Sequence, residues 1–307
     1  MEIIRLKPVF KQMIWGGNKL RDEFSYDVDA ENIGECWGIS AHPNGDCTVS
    51  GGVYDGMQLS QLYAEHRELF GNIDSYVFPL LTKIIDADTD LSIQVHPDDE
   101  YAGKYENGSL GKTECWYVLD AEPGTTIVIG HNAKNHQEVA DMIHDKRWKE
   151  FIREIPVKKG DFFQINPGTL HAIKGGTLIL ETQQNSDITY RVYDYDRLTD
   201  GKPRPLHVKK SIDVITAPYH EMCEEERAQI SKGLQRLVSC NYYTVWKMDV
   251  DGYSEFAQDG KFFLASVTDG SGSINGEKLN KGEHFIIPYG YGAIKFEGEM
   301  ELIISCP

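Results

Sequence analysis

The chain has 307 residues, 40% of them hydrophobic, with 31 Lys and Arg against 48 Asp and Glu, for a net charge of −17. Its 12 Phe, 16 Tyr and 5 Trp supply enough bulky apolar area to exclude a disordered chain and to fill one large core or two modest ones. The acidic balance excludes a nucleic-acid backbone binder, whose affinity rests on clustered Lys and Arg, so any anionic ligand must be held by local cations.

The opening text MEIIRLKPVF carries no secretory pattern, and no later run approaches the roughly 18 apolar residues that a membrane span needs. A cytoplasmic protein with neither membrane nor nucleic-acid partners is expected. Cys36, Cys47, Cys115, Cys223, Cys240 and Cys306 are scattered without a CxxC pair, which predicts reduced thiols.

In chain order, segments 3–10, 48–54, 91–97, 113–120, 125–130, 161–167, 177–184 and 188–195 read as strands. They are short, rich in Val, Ile, Tyr and Phe, and closed by Gly, Pro or Asn. Two stretches read instead as helical insertions, at about 58–71 and 136–153. Leu59, Leu62, Tyr63 and Leu69 in the first, and Val139, Ile143 and Trp148 in the second, recur at helical spacing. Segment 217–235, polar and carrying Glu224, Glu225 and Glu226, reads as a connection between residues 1–216 and a smaller C-terminal β domain over 236–307.

A faint repeat supports two related β domains. GDFFQINPGTLH at 160–171 lies over GEHFIIPYGYGA at 282–293, each a turn glycine, an acidic residue, an apolar strand and a Pro/Gly turn. This text is similar to the second conserved motif of cupin barrels, so the predicted fold is mainly β, two cupin-like jelly-roll barrels with a few short helices. Only the first copy ends in histidine. Ala293 stands where His171 stands in the other, which predicts a C-terminal barrel without a metal site and with Phe263, Ile286 and Ile287 in its core.

Gln94 and His96 in LSIQVHPDD are two apart on a strand and share a face. A polar pair on an inner face needs a partner, and a metal supplies one. Glu114 in GKTECWYVL and His171 after a Pro-Gly turn complete an oxygen and nitrogen set suited to zinc, with other divalent metals chemically open. Taken alone, Lys112 reads as a solvated loop lysine, and Arg191 and Arg197 as surface arginines among Asp187, Asp194 and Asp196. Trp15 and Trp37 read as core. His42, His66, His131, His136, His144, His207, His220 and His284 show no ligand spacing and read as surface or structural.

Together, LSIQVHPDD, GKTECWY, PGTLHAI and above all ETQQNSDITYRVYDYDR closely resemble the type I mannose-6-phosphate isomerases, zinc enzymes of the cupin superfamily. MIWGGNKL and IGECWGIS resemble further segments of that family, so the likeness runs in order over residues 8 to 216. It implies a short bacterial form that interconverts D-mannose 6-phosphate and D-fructose 6-phosphate through an enediolate, with a sugar phosphate as its partner. It also implies one Zn2+ per chain on Gln94, His96, Glu114 and His171, and catalytic roles for Arg191, Lys112, Glu181 and Asp187. Ser92, Arg197, Lys112 and Arg191 are the implied phosphate contacts. NSD at 185–187, where the family often has SSD, is a conservative departure. Two other classes fit a cupin with these residues: a non-catalytic sugar-phosphate binder, and another metal-dependent cupin enzyme.

Overall fold

Short apolar runs rich in β-branched and aromatic residues, closed by glycine turns, favour extended backbone. The computed structural model describes residues 1–24, 26–199, 201–221, 228–258 and 260–307. The fold is mainly β: among the described residues, antiparallel strands gather into three large sheets with short helices at their margins. The first sheet orders Phe162–Ile165, Glu114–Ala121, Thr177–Gln184, Leu80–Ala87, Val9–Gly17 and Ile33–Ile39. The second orders Ile152–Pro156, Thr126–His131, His171–Ala172, Ile93–Val95 and Tyr190–Tyr193.

One core cluster joins these two sheets, with Ile85, Trp116, Val118, Ile165 and Ile179 from the first meeting Ile127 and Ile129 from the second. The opposite face of the first sheet packs Ile84, Tyr117, Leu178 and Leu180 against Leu237, Val245, Leu264, Ile286 and Ile303 of the C-terminal part. The six-stranded sheet is therefore covered on both sides. Its strands Leu80–Ala87 and Thr177–Gln184 are buried at every position.

The third sheet is built around two 14-residue strands, Thr244–Ala257 and Ala293–Cys306, paired along their whole length. Phe263, Ile286 and Ile287 are buried there. Ile4–Lys7 also belongs to this sheet, pairing with His284–Ile287, so a cut near residue 216 does not separate the sheets. The expected connection at 217–235 contributes the strand Ala228–Ser231 and the first two residues of Leu234–Ser239, a hairpin that the charge of the surrounding text obscured. Glu224, Glu225 and Glu226 lie outside the described residues.

Three further expectations are corrected. Only Thr48–Val49 of segment 48–54 is a strand, because Gly51 and Gly52 take φ of 82° and 68° and turn the chain into a short 3-10 helix at Gly52–Tyr54. The insertion at 136–153 ends in the strand Ile152–Pro156 after helices His136–His144 and Trp148–Phe151, whereas 58–71 holds Leu59–Glu65 and a 3-10 turn Arg67–Phe70. Unanticipated helices occur at Lys19–Phe24, Asp99–Tyr105 and Val208–Val214. The second of these is capped by Asp98, whose carboxylate accepts from the Tyr101 amide at 2.8 Å. No helix among the described residues is long and apolar enough to cross a membrane.

Candidate metal centre and active site

Register sets the site. On the five-stranded sheet Gln94 is paired with His171 on one side and Arg191 on the other. On the facing sheet, Trp37 opposes Lys83, Lys83 opposes Glu181, and Glu181 opposes Trp116, a row of four side chains across four strands. Glu114 opposes Gln183, two residues from Glu181 and so on the same face.

Between the sheets, His96, Glu114 and His171 bring ligand atoms within 4.8 Å of one another, and all three are buried. Glu114 Oε2 lies 3.4 Å from His96 Nε2, and Oε1 lies 3.4 Å from His171 Nε2. Each imidazole is oriented from behind: Nδ1–H of His96 donates to the Ile188 carbonyl and Nδ1–H of His171 to the Thr169 carbonyl, both at 2.8 Å. That tautomer turns both Nε2 lone pairs inward. Burial pushes the His96 pKa down to about 3 and lowers that of His171, so both rings are neutral at pH 7 and ready to ligate.

These residues fit a divalent cation. His96 Nε2 and Glu114 Oε1 are buried with no hydrogen-bond partner among the described residues, a cost that a bound metal removes. Gln94 stands beside them, its Nε2 3.3 Å from His171 Nε2 and its Oε1 accepting from Ser92 Oγ at 3.3 Å; a half-turn of the amide presents Oε1 to the cluster.

A ladder of buried charges continues from the cluster. Lys112 Nζ is 2.9 Å from Glu114 Oε2 and 3.4 Å from Glu181 Oε1, and Lys83 Nζ is 3.3 Å from Glu181 and 3.7 Å from Glu35. Trp37 and Trp116 donate indole N–H groups to Glu35 and Glu181 at 2.6 and 3.2 Å. Burial alone would depress both lysines, but the adjoining carboxylates outweigh it and raise both pKa values. Burial raises the Glu181 carboxyl, with the Glu114 charge adding to it. For Glu114 itself the burial penalty is overcome by Lys112 and His96, which hold it well below its ordinary range. Three carboxylates against two ammonium groups leave one negative charge in the interior, which a divalent cation would offset.

The ladder borders a cavity of about 250 Å³ that Trp15, Ser92, Gln94, Asp187 and Arg191 also line. Arg191 offers its guanidinium there, its Nε buried without a hydrogen-bond partner among the described residues. Asp187 is exposed at the mouth and accepts from Asn44 Nδ2 at 3.0 Å. Arg197 does not border this cavity; it is turned onto Asp194 and the Asp90 carbonyl. Lys83 and Arg204 do border it and were not singled out by sequence. A lone lysine inside the apolar run LLTKIIDA was the signal for the first.

Inward-facing imidazoles and a carboxylate from two facing sheets, beside a cation-lined cavity, define a metal-site cupin of the enzyme type. Residues 3–118 match the family model for the type I phosphomannose isomerase catalytic domain, and residues 234–307 that for the mannose-6-phosphate isomerase cupin domain. The chain is 48% identical to mannose-6-phosphate isomerase ManA of Bacillus subtilis and 49% identical to the mannose-6-phosphate isomerase of Streptococcus mutans, each over 99% of this chain and 98% of the relative. The crystal structure of the mannose 6-phosphate isomerase from Bacillus subtilis superposes with a TM-score of 0.97 at 47% identity, covering 99% of both chains. The chain belongs to the type I mannose-6-phosphate isomerases.

Proposed function

We propose that the chain interconverts D-mannose 6-phosphate and D-fructose 6-phosphate through an enediolate, with one zinc ion held by Gln94, His96, Glu114 and His171. The buried His96, Glu114 and His171 cluster, linked through Gln94 and Lys112 to a cavity lined by cationic side chains, is the observation that carries this reading. Zinc in that position would polarise a sugar oxygen and lower the cost of negative charge developing on it.

The reaction moves a proton between C1 and C2, so the chain must supply a proton carrier and stabilise an oxyanion. Lys112, Glu181 and Asp187 are the candidate carriers at the cavity wall. Lys112 joins the metal cluster to Glu181, whose carboxyl burial and the Glu114 charge push above its ordinary range. Arg191 presents a fixed positive charge to the bound substrate, whose phosphate and enediolate are both anionic, and Ser92 is a neutral donor on the same wall. Trp15 and Trp37, both buried, give the wall its apolar surface.

Purified protein should convert mannose 6-phosphate in an assay coupled to fructose 6-phosphate, lose turnover on chelation and regain it with added zinc. A metal-loaded protein that binds the sugar phosphate without turning it over would make it a binding protein instead.

A further inference from the structure

The cationic end of the cavity is built differently from what the order of arginines in the chain suggests. Arg197 commits its whole guanidinium to the protein: Nε donates to the Asp194 carbonyl at 3.3 Å, Nη2 to Asp194 Oδ1 at 2.6 Å, and Nη1 to the Asp90 carbonyl. Arg204 takes the place beside the cavity. A tight hairpin, with Leu198 paired to Pro203 and Thr199 to Lys202, folds the chain back so that Arg204 lands on the same carboxylate. Arg204 Nε donates to Asp194 Oδ2 at 2.8 Å and its Nη2 donates to Oδ1, leaving Nη1 without an acceptor among the described residues.

Arg191 approaches from the strand Tyr190–Tyr193, with no side-chain acceptor among the described residues for its buried Nε. Its pKa is lowered, first by burial and then by the charge of Arg204, against the opposing pull of Asp194 and Asp187. Two guanidinium groups that face one cavity and repel each other form a site for a multiply charged anion. Arg191, Arg197 and Arg204 set three positive charges against two carboxylates, Asp194 and Asp187, a surplus that favours an anion.

We propose that Arg204, together with Arg191, binds the phosphoryl group of the sugar phosphate, and that Asp194, braced by Arg197, is the positioning residue that aims Arg204. The assignment rests on the sugar-phosphate function proposed above. Arg197 then acts behind the site and never touches ligand. Ser92 and Thr189 border the same cavity and supply the neutral donors.

The test compares metal-loaded wild type with Arg204→Met, Arg204→Lys and Arg197→Met. It reads inorganic phosphate binding by calorimetry, kcat and KM for mannose 6-phosphate, and metal content. Arg197 still pairs with Asp194 in the Arg204 variants, so no carboxylate is stranded. Loss of a charge-assisted contact should raise the phosphate Kd and the KM of Arg204→Met by at least about tenfold, with kcat and metal content little changed. Arg204→Lys should recover part of that loss, and Arg197→Met should lose less than Arg204→Met. Unchanged phosphate affinity and KM in Arg204→Met, or a larger loss in Arg197→Met, would overturn the assignment while leaving the isomerase function standing. A wild type that binds phosphate through Arg204 yet converts no mannose 6-phosphate would overturn the function and support the anion site.

Discussion

Lys83 and Glu181 oppose each other in register on neighbouring strands, Nζ 3.3 Å from Oε1, and both side chains are sealed from solvent. An isolated ammonium so buried would shed its proton, yet Lys83 is held charged because Glu181 and Glu35 outweigh the burial penalty. The pair therefore couples the strand at the centre of the six-stranded sheet to the charge state of the cavity wall.

Lys83→Met should cost about 3 kcal/mol of stability in urea unfolding, because breaking a buried pair leaves an uncompensated carboxylate. Adding Glu181→Leu to Lys83→Met should lose less than the sum of the two single changes, since the second substitution removes one of the two carboxylates, Glu181 and Glu35, that lost Lys83. Strictly additive losses would show that the two groups are not energetically linked.

His171→Ala should abolish bound metal and turnover together, with the far-UV spectrum retained, because the ring contributes one inward Nε2 and its loss opens the cluster. Arg191→Ala is the contrast. There kcat/KM should fall by about two orders of magnitude or more while metal content stays at the wild-type level, since Arg191 presents charge to the cavity without meeting the cluster. Metal analysis of desalted protein beside a coupled assay checks both, and full zinc retention in His171→Ala would remove that residue from the ligand set.

How much of this was legible follows from what each strand faces. Gln94, His96, Glu114 and His171 stood out because polar side chains on inward strand faces break an apolar background, and the structure brings His96, Glu114 and His171 into one cluster with Gln94 beside it. Leu80–Ala87 escaped because it is buried on both faces, so its text has no alternation to read, and Lys83 was hidden with it. Ile33–Ile39 is buried at every position for the same reason. Arg204 escaped because its place beside Asp194 depends on a hairpin between Leu198–Thr199 and Lys202–Pro203, each only two residues long, too short to leave a pattern. The joining of Ile4–Lys7 to the C-terminal sheet is a pairing of residues about 280 apart, which local periodicity cannot contain.

His284 shows the same long reach, and its titration should be visible in stability. The ring is fully buried, with Nδ1 2.8 Å from Ser266 Oγ and Nε2 2.8 Å from the Tyr26 hydroxyl, while that hydroxyl donates to the Gly282 carbonyl at 2.9 Å. This order of donors fixes Nε2–H as the protonated nitrogen and leaves Nδ1 accepting from serine. Gly38 makes the fit possible: a Cβ there would lie 2.4 Å from the imidazole, so any side chain would collide with it. Burial pushes the His284 pKa down from 6.5 to about 4. The unfolded chain therefore binds a proton below about pH 6.5 that the folded chain refuses until about pH 4, and stability is lost as pH falls through that window. From pH 7.5 to pH 5 the loss from this one group should be about 2 kcal/mol. His284→Asn should be less stable than wild type at pH 7.5 but should lose about 2 kcal/mol less on acidification. Metal-site protonation is common to both proteins and cancels in the difference. Urea unfolding of the two at pH 7.5 and pH 5 measures it, and parallel losses would mean that His284 takes up its proton in the folded protein as readily as in the unfolded chain.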